Sequence, residues 1–274
     1  MWGIVPAAGA GSRIQPLAFS KELLPVGSRL EMGIERPRAV SEYIVERMLL
    51  AGADKICFVV SPGKADILAY YGGNIGKAHI AYTVQSQPAG LCDAIFRALP
   101  LTSRDEGVIV GLPDTIWFPA NGLCTLPSNA LSFLLFPVER PDLFDAVSTD
   151  AAGNVLEIEV KQPHPRSSWV WGAFRMPGTV LAELCDLWNA RGRSDEYFGT
   201  LVNAYLAQGG RAVGVRSGTS YVDVGTLNGY REAIELLKSA AHPDDASIAI
   251  PDIGRLAHLR LAQLRASVPG EHST

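Results

Sequence analysis

Short apolar runs alternate along this chain with longer segments whose apolar residues recur every three or four positions. Residues 2–8 read as a buried strand that enters a glycine-rich turn. Residues 39–51 carry Val40, Ile44, Met48 and Ala51 at helical spacing and stop at Gly52, as a helix end should. The pattern then predicts a strand over 55–60, a helix over 65–71, a strand over 79–84, a helix over 90–99, and apolar strands over 107–112 and 130–136. Short apolar strands joined through helices need crossover connections, and these imply a mainly parallel, covered sheet. Beyond Pro137 the rhythm changes. Strands are expected over 145–149 and 155–160, hinged at Gly153-Asn154, and over 169–175 and 211–216. Helices are expected over 179–189, 196–208 and 227–238. The fold class is therefore α/β, three-layered, with a mainly parallel twisted sheet and helices on both faces.

One catalytic domain is expected over residues 1–240, with halves at about 1–136 and 137–240. Residues 241–274 read as a polar linker and a short terminal helix, with fraying expected over 268–274. No solenoid-period repeat or low-complexity tract interrupts the pattern.

Composition narrows the class. The 274 residues are 47% hydrophobic and 19% charged, which excludes a disordered chain. Against 28 acidic residues stand 24 Lys and Arg, a net charge of −4, so no global attraction draws the chain to nucleic acid or an anionic membrane. No run approaches the roughly 18 apolar residues of a membrane span, and the first residues do not resemble a signal peptide. Cys57, Cys92, Cys124 and Cys185 are far apart in sequence and read as reduced core residues of a cytoplasmic protein. The five histidines form no metal-spaced cluster.

The most informative stretch is Ala8-Gly9-Ala10-Gly11-Ser12-Arg13, followed by Lys21-Glu22-Leu23-Leu24-Pro25. Such a turn leaves backbone N–H groups free and lets a phosphate approach closely. The dinucleotide fingerprint fails because Ile14 stands where a third glycine belongs, and the Gly-Lys-Ser/Thr of a P-loop is absent. What remains is one Arg and one Lys suited to clamping a triphosphate. On the loop alone, a phosphate cradle and a solvent-exposed turn with incidental charges stay equally open.

Further motifs follow in order: Gln85-Ser86-Gln87-Pro88-Ala89-Gly90-Leu91, Gly111-Leu112-Pro113-Asp114-Thr115, Val160-Lys161-Gln162-Pro163, and Tyr221-Val222-Asp223-Val224-Gly225-Thr226. With the glycine-rich turn they resemble the sugar-1-phosphate nucleotidyltransferases, or NDP-sugar pyrophosphorylases, including the glucose-1-phosphate thymidylyl- and uridylyltransferases. The resemblance runs from about Gly3 to Tyr230 and implies the Rossmann-like nucleotide-diphospho-sugar transferase fold. It also implies Mg²⁺-dependent nucleotidyl transfer from an NTP to a sugar-1-phosphate, with release of pyrophosphate.

What the resemblance implies for each position is specific. Arg13 clamps the β- and γ-phosphates and Lys21 neutralises charge near the α-phosphate, although the Arg-to-Lys gap is two residues shorter than in the family. Ala8, Gly9, Gly11, Ser12 and Asp114 line the nucleotide. Gln85 and Gly90 read the base, Gly90 by permitting its close approach, with Gln87 as an alternative reader. Asp114 and Asp223 hold Mg²⁺, an ion that prefers oxygen ligands. Asp145, Lys161, Val170 and Gly172 border the sugar phosphate, with Gly172 giving room for the sugar ring. Here the chain departs from the family: Val160 stands where a sugar-reading Glu is usual, Gln162 is inserted before Pro163, and Asp145 replaces a common Gly. A sugar-1-phosphate other than glucose-1-phosphate is accordingly the expected acceptor. Nucleic acid and membrane are not expected partners, and assembly with like chains stays open. Transfer to a non-sugar phosphate such as phosphocholine is the rival reaction, and a non-catalytic nucleotide-sugar sensor is the rival class.

Overall fold

A computed structural model describes residues 1–239. The expected linker and terminal helix lie outside the described residues. The first half holds strands β1 (Trp2–Pro6), β2 (Pro25–Glu31) and β3 (Ile34–Ala39), helix α1 (Val40–Leu50), β4 (Lys55–Val60), α2 (Ala65–Tyr71), β5 (Asn74–Ile75), β6 (Ala78–Val84), α3 (Gly90–Phe96), β7 (Gly107–Gly111) and β8 (Thr115–Phe118). There follow β9 (Leu131–Pro137), β10 (Ala146–Thr149), β11 (Val155–Glu159), β12 (Trp169–Pro177), α4 (Gly178–Ala190), α5 (Phe198–Ala207), β13 (Ala212–Val215), β14 (Ser220–Asp223) and α6 (Leu227–Ser239).

The central sheet runs β11-β10-β12-β7-β1-β4-β6-β5, with β9 along the other side of β12 and β13 beyond it. Its middle is parallel: β1 pairs with both β7 and β4, and β4 with β6. The later strands make it mixed, because β12 lies antiparallel to β7, β9 and β10. Side chains alternate between two apolar layers. Ile4, Val110, Phe133 and Phe174 join the cluster that includes residues of α3, α4 and α5, whereas Val5, Ile109 and Leu134 join that of α1 and α2. Both faces of these strands are apolar because both are covered, which is why they read as continuous hydrophobic runs.

Three local differences from the sequence reading have physical causes. The β2–β3 hairpin was not expected: its exposed positions carry the apolar Leu30, Met32 and Ile34 while Arg29, Glu31, Arg36 and Arg38 take the half-buried ones, so no apolar face imposes a period. Strands β8 and β14 are four residues each, too short to show periodicity, and pair only with one another. Helix α5 begins at Phe198 because Glu196 is held outside it, its carbonyl accepting the Leu91 N–H at 3.1 Å. Of the cysteines, Cys57, Cys92 and Cys185 are buried as expected, but Cys124 is exposed. No helix among the described residues is long and apolar enough to cross a membrane.

Candidate active site

The glycine-rich turn leaves the carboxyl end of β1, at the middle of the parallel strands, where α/β sheets place their ligands. Gly11 has φ +66°, and a Cβ there would stand 2.7 Å from the Lys21 side chain, so only glycine suits this position. Around the Cβ position of Gly9 there is open space out to 4 Å. Ser12 and Arg13 are exposed.

Two carboxylates complete the site, brought together from positions far apart in sequence. In the β8–β14 pair Asp223 stands opposite Thr115, and the Val224 N–H donates to the Asp114 carbonyl at 2.8 Å. Buried Arg47 on α1 secures this small ladder from behind by donating to the Trp117 carbonyl from Nε at 3.1 Å and Nη2 at 2.5 Å. Asp114, Asp223 and Arg13 converge on Gly225. A Cβ on that residue would lie 2.8 Å from Asp223 Oδ1, 3.1 Å from Arg13 Nη2 and 3.2 Å from Asp114 Oδ2.

Each carboxylate already faces a cation. Lys21 Nζ donates to Asp114 Oδ2 at 2.6 Å, and Arg13 Nη2 to Asp223 Oδ2 at 3.2 Å. Burial pulls the Lys21 pKa down, but attraction to Asp114 and the hydrogen bond to it win, leaving the ammonium above its ordinary value. Two hard oxygen donors directed at one point suit a small divalent cation such as Mg²⁺, which keeps waters and phosphate oxygens in its remaining positions. Among the described residues there is no group of three or more His, Cys, Asp or Glu that would form a closed all-protein cage.

On the proposed base side, Gln85 is buried, and its Nε2 donates to the Gly90 carbonyl at 3.1 Å and to Asp93 Oδ2 at 2.8 Å. Asp93 is held in turn by Arg97, with Nε and Nη2 each at 3.1 Å. Gln87 is exposed. Gly90, expected to clear space for a base, instead clears space for protein: its φ is +81°, and a Cβ would meet the Glu196 carbonyl at 2.7 Å.

On the proposed sugar side, Asp145 and Lys161 do come together. The Lys161 N–H donates to Asp145 Oδ1 at 3.3 Å, and its ammonium lies 3.7 Å from the same oxygen. Lys161 has φ +47°, uncommon for a side-chain-bearing residue. Burial raises the Asp145 pKa, and Lys161 opposes this. At Val170 and Gly172 the side-chain positions face protein. The Val170 side chain is fully buried in the core, which leaves its backbone to border a ligand. Gly172 sits where the β12–β9 register shifts, and its Cβ position is taken by the rings of Tyr221, at 2.6 Å, and Phe136, at 2.7 Å, not by open space for a sugar. Tyr221 stands between the two halves of the site, since the charges of Asp223, Asp114 and Asp145 add to burial in pushing its phenol well above the ordinary value.

Sequence reasoning missed a set of anchors behind the turn. Lys64, just before α2, donates from Nζ to the carbonyls of Ala7 (2.6 Å) and Gly9 (2.7 Å) and to Glu22 Oε1 (2.7 Å). Asp66 accepts from the Ser20 N–H and hydroxyl, both at 2.6 Å. Ser61-Pro62-Gly63-Lys64-Ala65-Asp66 reads as a turn and a helix start, and no one-dimensional signal distinguishes its charges from surface ones.

A family model described as nucleotidyl transferase matches residues 2–240. The glucose-1-phosphate thymidylyltransferase of Mycolicibacterium smegmatis is 28% identical over 265 residues, spanning 92% of this chain and 87% of its own length. That of Neisseria gonorrhoeae is 25% identical over 262 residues, spanning 91% and 86%. Among solved structures, the UTP-bound UGPase from Acinetobacter baumannii superposes with a TM-score of 0.70 at 20% identity, covering 97% of this chain and 99% of its own, a likeness of fold.

Proposed function

Because the chain belongs to the nucleotidyl transferase family, we propose that it transfers a thymidylyl or uridylyl group from dTTP or UTP to a sugar-1-phosphate. The observation that carries this reading is the convergence of Asp114, Asp223 and Arg13 on Gly225, with Lys21 bonded to Asp114. In the step proposed, a phosphate oxygen of the sugar-1-phosphate forms a bond to the α-phosphorus. The bond from that phosphorus to the α,β-bridging oxygen breaks, and pyrophosphate leaves with the electron pair. Little covalent chemistry is asked of the protein, so alignment and charge neutralisation supply most of the acceleration.

Arg13 exchanges Asp223 for the β- and γ-phosphates and stabilises the leaving group. Lys21, held beside Gly11, meets the α-phosphate. When bound by Asp114 and Asp223, Mg²⁺ supplies neutralisation of the phosphate oxygens. Gln85, its Nε2 fixed by Asp93 and Gly90, offers its carbonyl oxygen to the N3–H that thymine and uracil share. Lys161 receives the sugar phosphate. The relatives' names specify glucose-1-phosphate. Here Glu159, the carboxylate nearest before Lys161, is already occupied, accepting from the Ser148 hydroxyl and from the Arg166 N–H at 2.6 Å. Asp145 is therefore the reader of sugar hydroxyls, which favours a modified or differently configured hexose-1-phosphate.

The test is incubation with each NTP, Mg²⁺ and a panel of hexose-, deoxyhexose- and aminohexose-1-phosphates plus phosphocholine, detecting pyrophosphate. Release with a sugar-1-phosphate and dTTP or UTP is expected. Release with phosphocholine alone, or none with any acceptor, refutes the function, and glucose-1-phosphate ranking first by tenfold in kcat/KM refutes the sugar preference.

A further inference from the structure

We propose that Lys64 is a positioning residue for the phosphate-binding turn: it pins two carbonyls of that turn inward and thereby aims the Ala8 and Ala10 N–H groups at the ligand. The inference rests on the reading of the turn as a phosphate site and adds a residue that the sequence motifs do not contain.

An ammonium has three N–H donors to place. Lys64 is 9% exposed, and its Nζ donates to the carbonyls of Ala7 and Gly9 and to Glu22 Oε1 at 2.6–2.7 Å, which uses all three. A trans peptide is planar, with its N–H antiparallel to its C=O. The peptides after Ala7 and Gly9 are trans, since the cis bonds of the described chain precede Pro16 and Pro119. Holding the Ala7 carbonyl inward therefore turns the Ala8 N–H away from Lys64, and holding that of Gly9 does the same for Ala10. Neither N–H pairs with a backbone carbonyl among the described residues, whereas the Ala7 N–H is taken by Val59 at 2.8 Å. The open space over Gly9 adjoins these two free donors. Two unpaired backbone N–H groups facing one such opening can together hold an anion.

The same ammonium reaches the other cation of the site. Glu22 is fully buried, adjoins Lys21, and its second oxygen, Oε2, is buried without a partner. Lys64 thus ties the turn and the segment carrying Lys21 to one point, fixing their separation. A buried ion pair is weak grounds for stability, since apolar residues of similar size do as well or better. Orientation of the turn gives this pair a role that stability does not.

The experiment compares wild type, Lys64→Met and the double variant Lys64→Met/Glu22→Met for thermal midpoint and for calorimetric binding of inorganic tripolyphosphate in Mg²⁺. Lys64→Met is expected to lower the midpoint and to weaken tripolyphosphate at least tenfold. The double variant, free of a stranded carboxylate, recovers the midpoint but not the affinity. Recovery of both, or wild-type affinity in the single variant, overturns the proposal. A measurement on wild type alone guards against variants that fail to fold: with alanine labelled with ¹⁵N, the Ala8 and Ala10 amide signals shift on titration with tripolyphosphate. If wild type does not bind it, or neither signal moves, the proposal is overturned. Because this ligand carries no base or sugar, an enzyme that binds it as described yet forms no NDP-sugar refutes the proposed reaction and leaves the role of Lys64 standing.

Discussion

Replacing Gly225 by alanine adds a single methyl group at the point where both carboxylates and Arg13 converge. Its Cβ would stand 2.8 Å from Asp223 Oδ1, whereas ordinary contacts begin near 3.4 Å, so something must move by about half an ångström. Gly225 has no positive φ, so alanine introduces no backbone strain there. The atom that must give is a carboxylate oxygen at the tip of the Asp223 side chain, which is 24% exposed, and its partner Arg13 is 63% exposed and can move with it, so the overpacking costs about 1 kcal/mol, at the low end of its range. In a chain of this size that lowers the thermal midpoint by about 2–4 °C. Catalysis is far less tolerant: a misplacement of about 1 Å costs on the order of 100-fold, so half of that predicts roughly a tenfold loss of kcat. The half-saturating Mg²⁺ concentration rises with it, because the carboxylates no longer meet at one point. The assay is pyrophosphate release against Mg²⁺, alongside melting curves. Gly73→Ala serves as control, since nothing lies within 4 Å of its Cβ position and its φ is not positive. A Gly225→Ala enzyme within twofold of wild type in kcat and in Mg²⁺ dependence would refute the placement of the metal pair.

Asp114→Asn and Asp223→Asn are each expected to abolish nearly all turnover while the protein stays folded by circular dichroism, since the amide keeps the shape and loses the charge. Wild-type pyrophosphate release from either sinks the assignment. Asp145→Asn tests the sugar side through pH. Burial raises the Asp145 pKa in the fold, so its protonated form favours the folded state, and that contribution is lost as pH rises from the ordinary aspartate value through the raised one. The midpoint of Asp145→Asn relative to wild type should therefore be more favourable at pH 7 than at pH 4, and a difference that does not change with pH contradicts this.

The parallel half of the sheet was legible because β1, β4 and β7 are buried on both faces, and the turn after β1 because its glycines stand out. Asp114 and Asp223 were legible as motif residues, but their meeting depends on the β8–β14 ladder, two four-residue strands with no period to detect. Glycine roles were the least legible. Gly90 and Gly172 look in sequence like clearings for a ligand, yet what fills them is the Glu196 backbone and the Tyr221 ring, neighbours set by tertiary closure. Val170 was hard to read for a related reason: both faces of its strand are covered, so an apolar residue there is buried whichever way it points, and its sequence does not tell core packing from a ligand's border. Lys64 was invisible because its partners lie 42 to 57 residues away along the chain.

Two lysines beside the same turn show how environment divides the work of one side-chain type. Both suffer the cost of leaving water. At Lys21 the Asp114 carboxylate outweighs that cost and the pKa is raised, so the charge is held through neutral pH, and the stability it lends is lost only as pH rises beyond the ordinary lysine value. At Lys64 burial outweighs Glu22, and the pKa falls. Lys21 has one bond, to the Asp114 carboxylate, which in the proposed reaction a metal ion would draw away to leave a charged donor for the ligand. Lys64 has all three donors committed to the protein and none to offer. A cation that meets phosphate must keep its charge and be able to change partners. One that shapes the backbone must keep its partners, and these two positions differ in those respects.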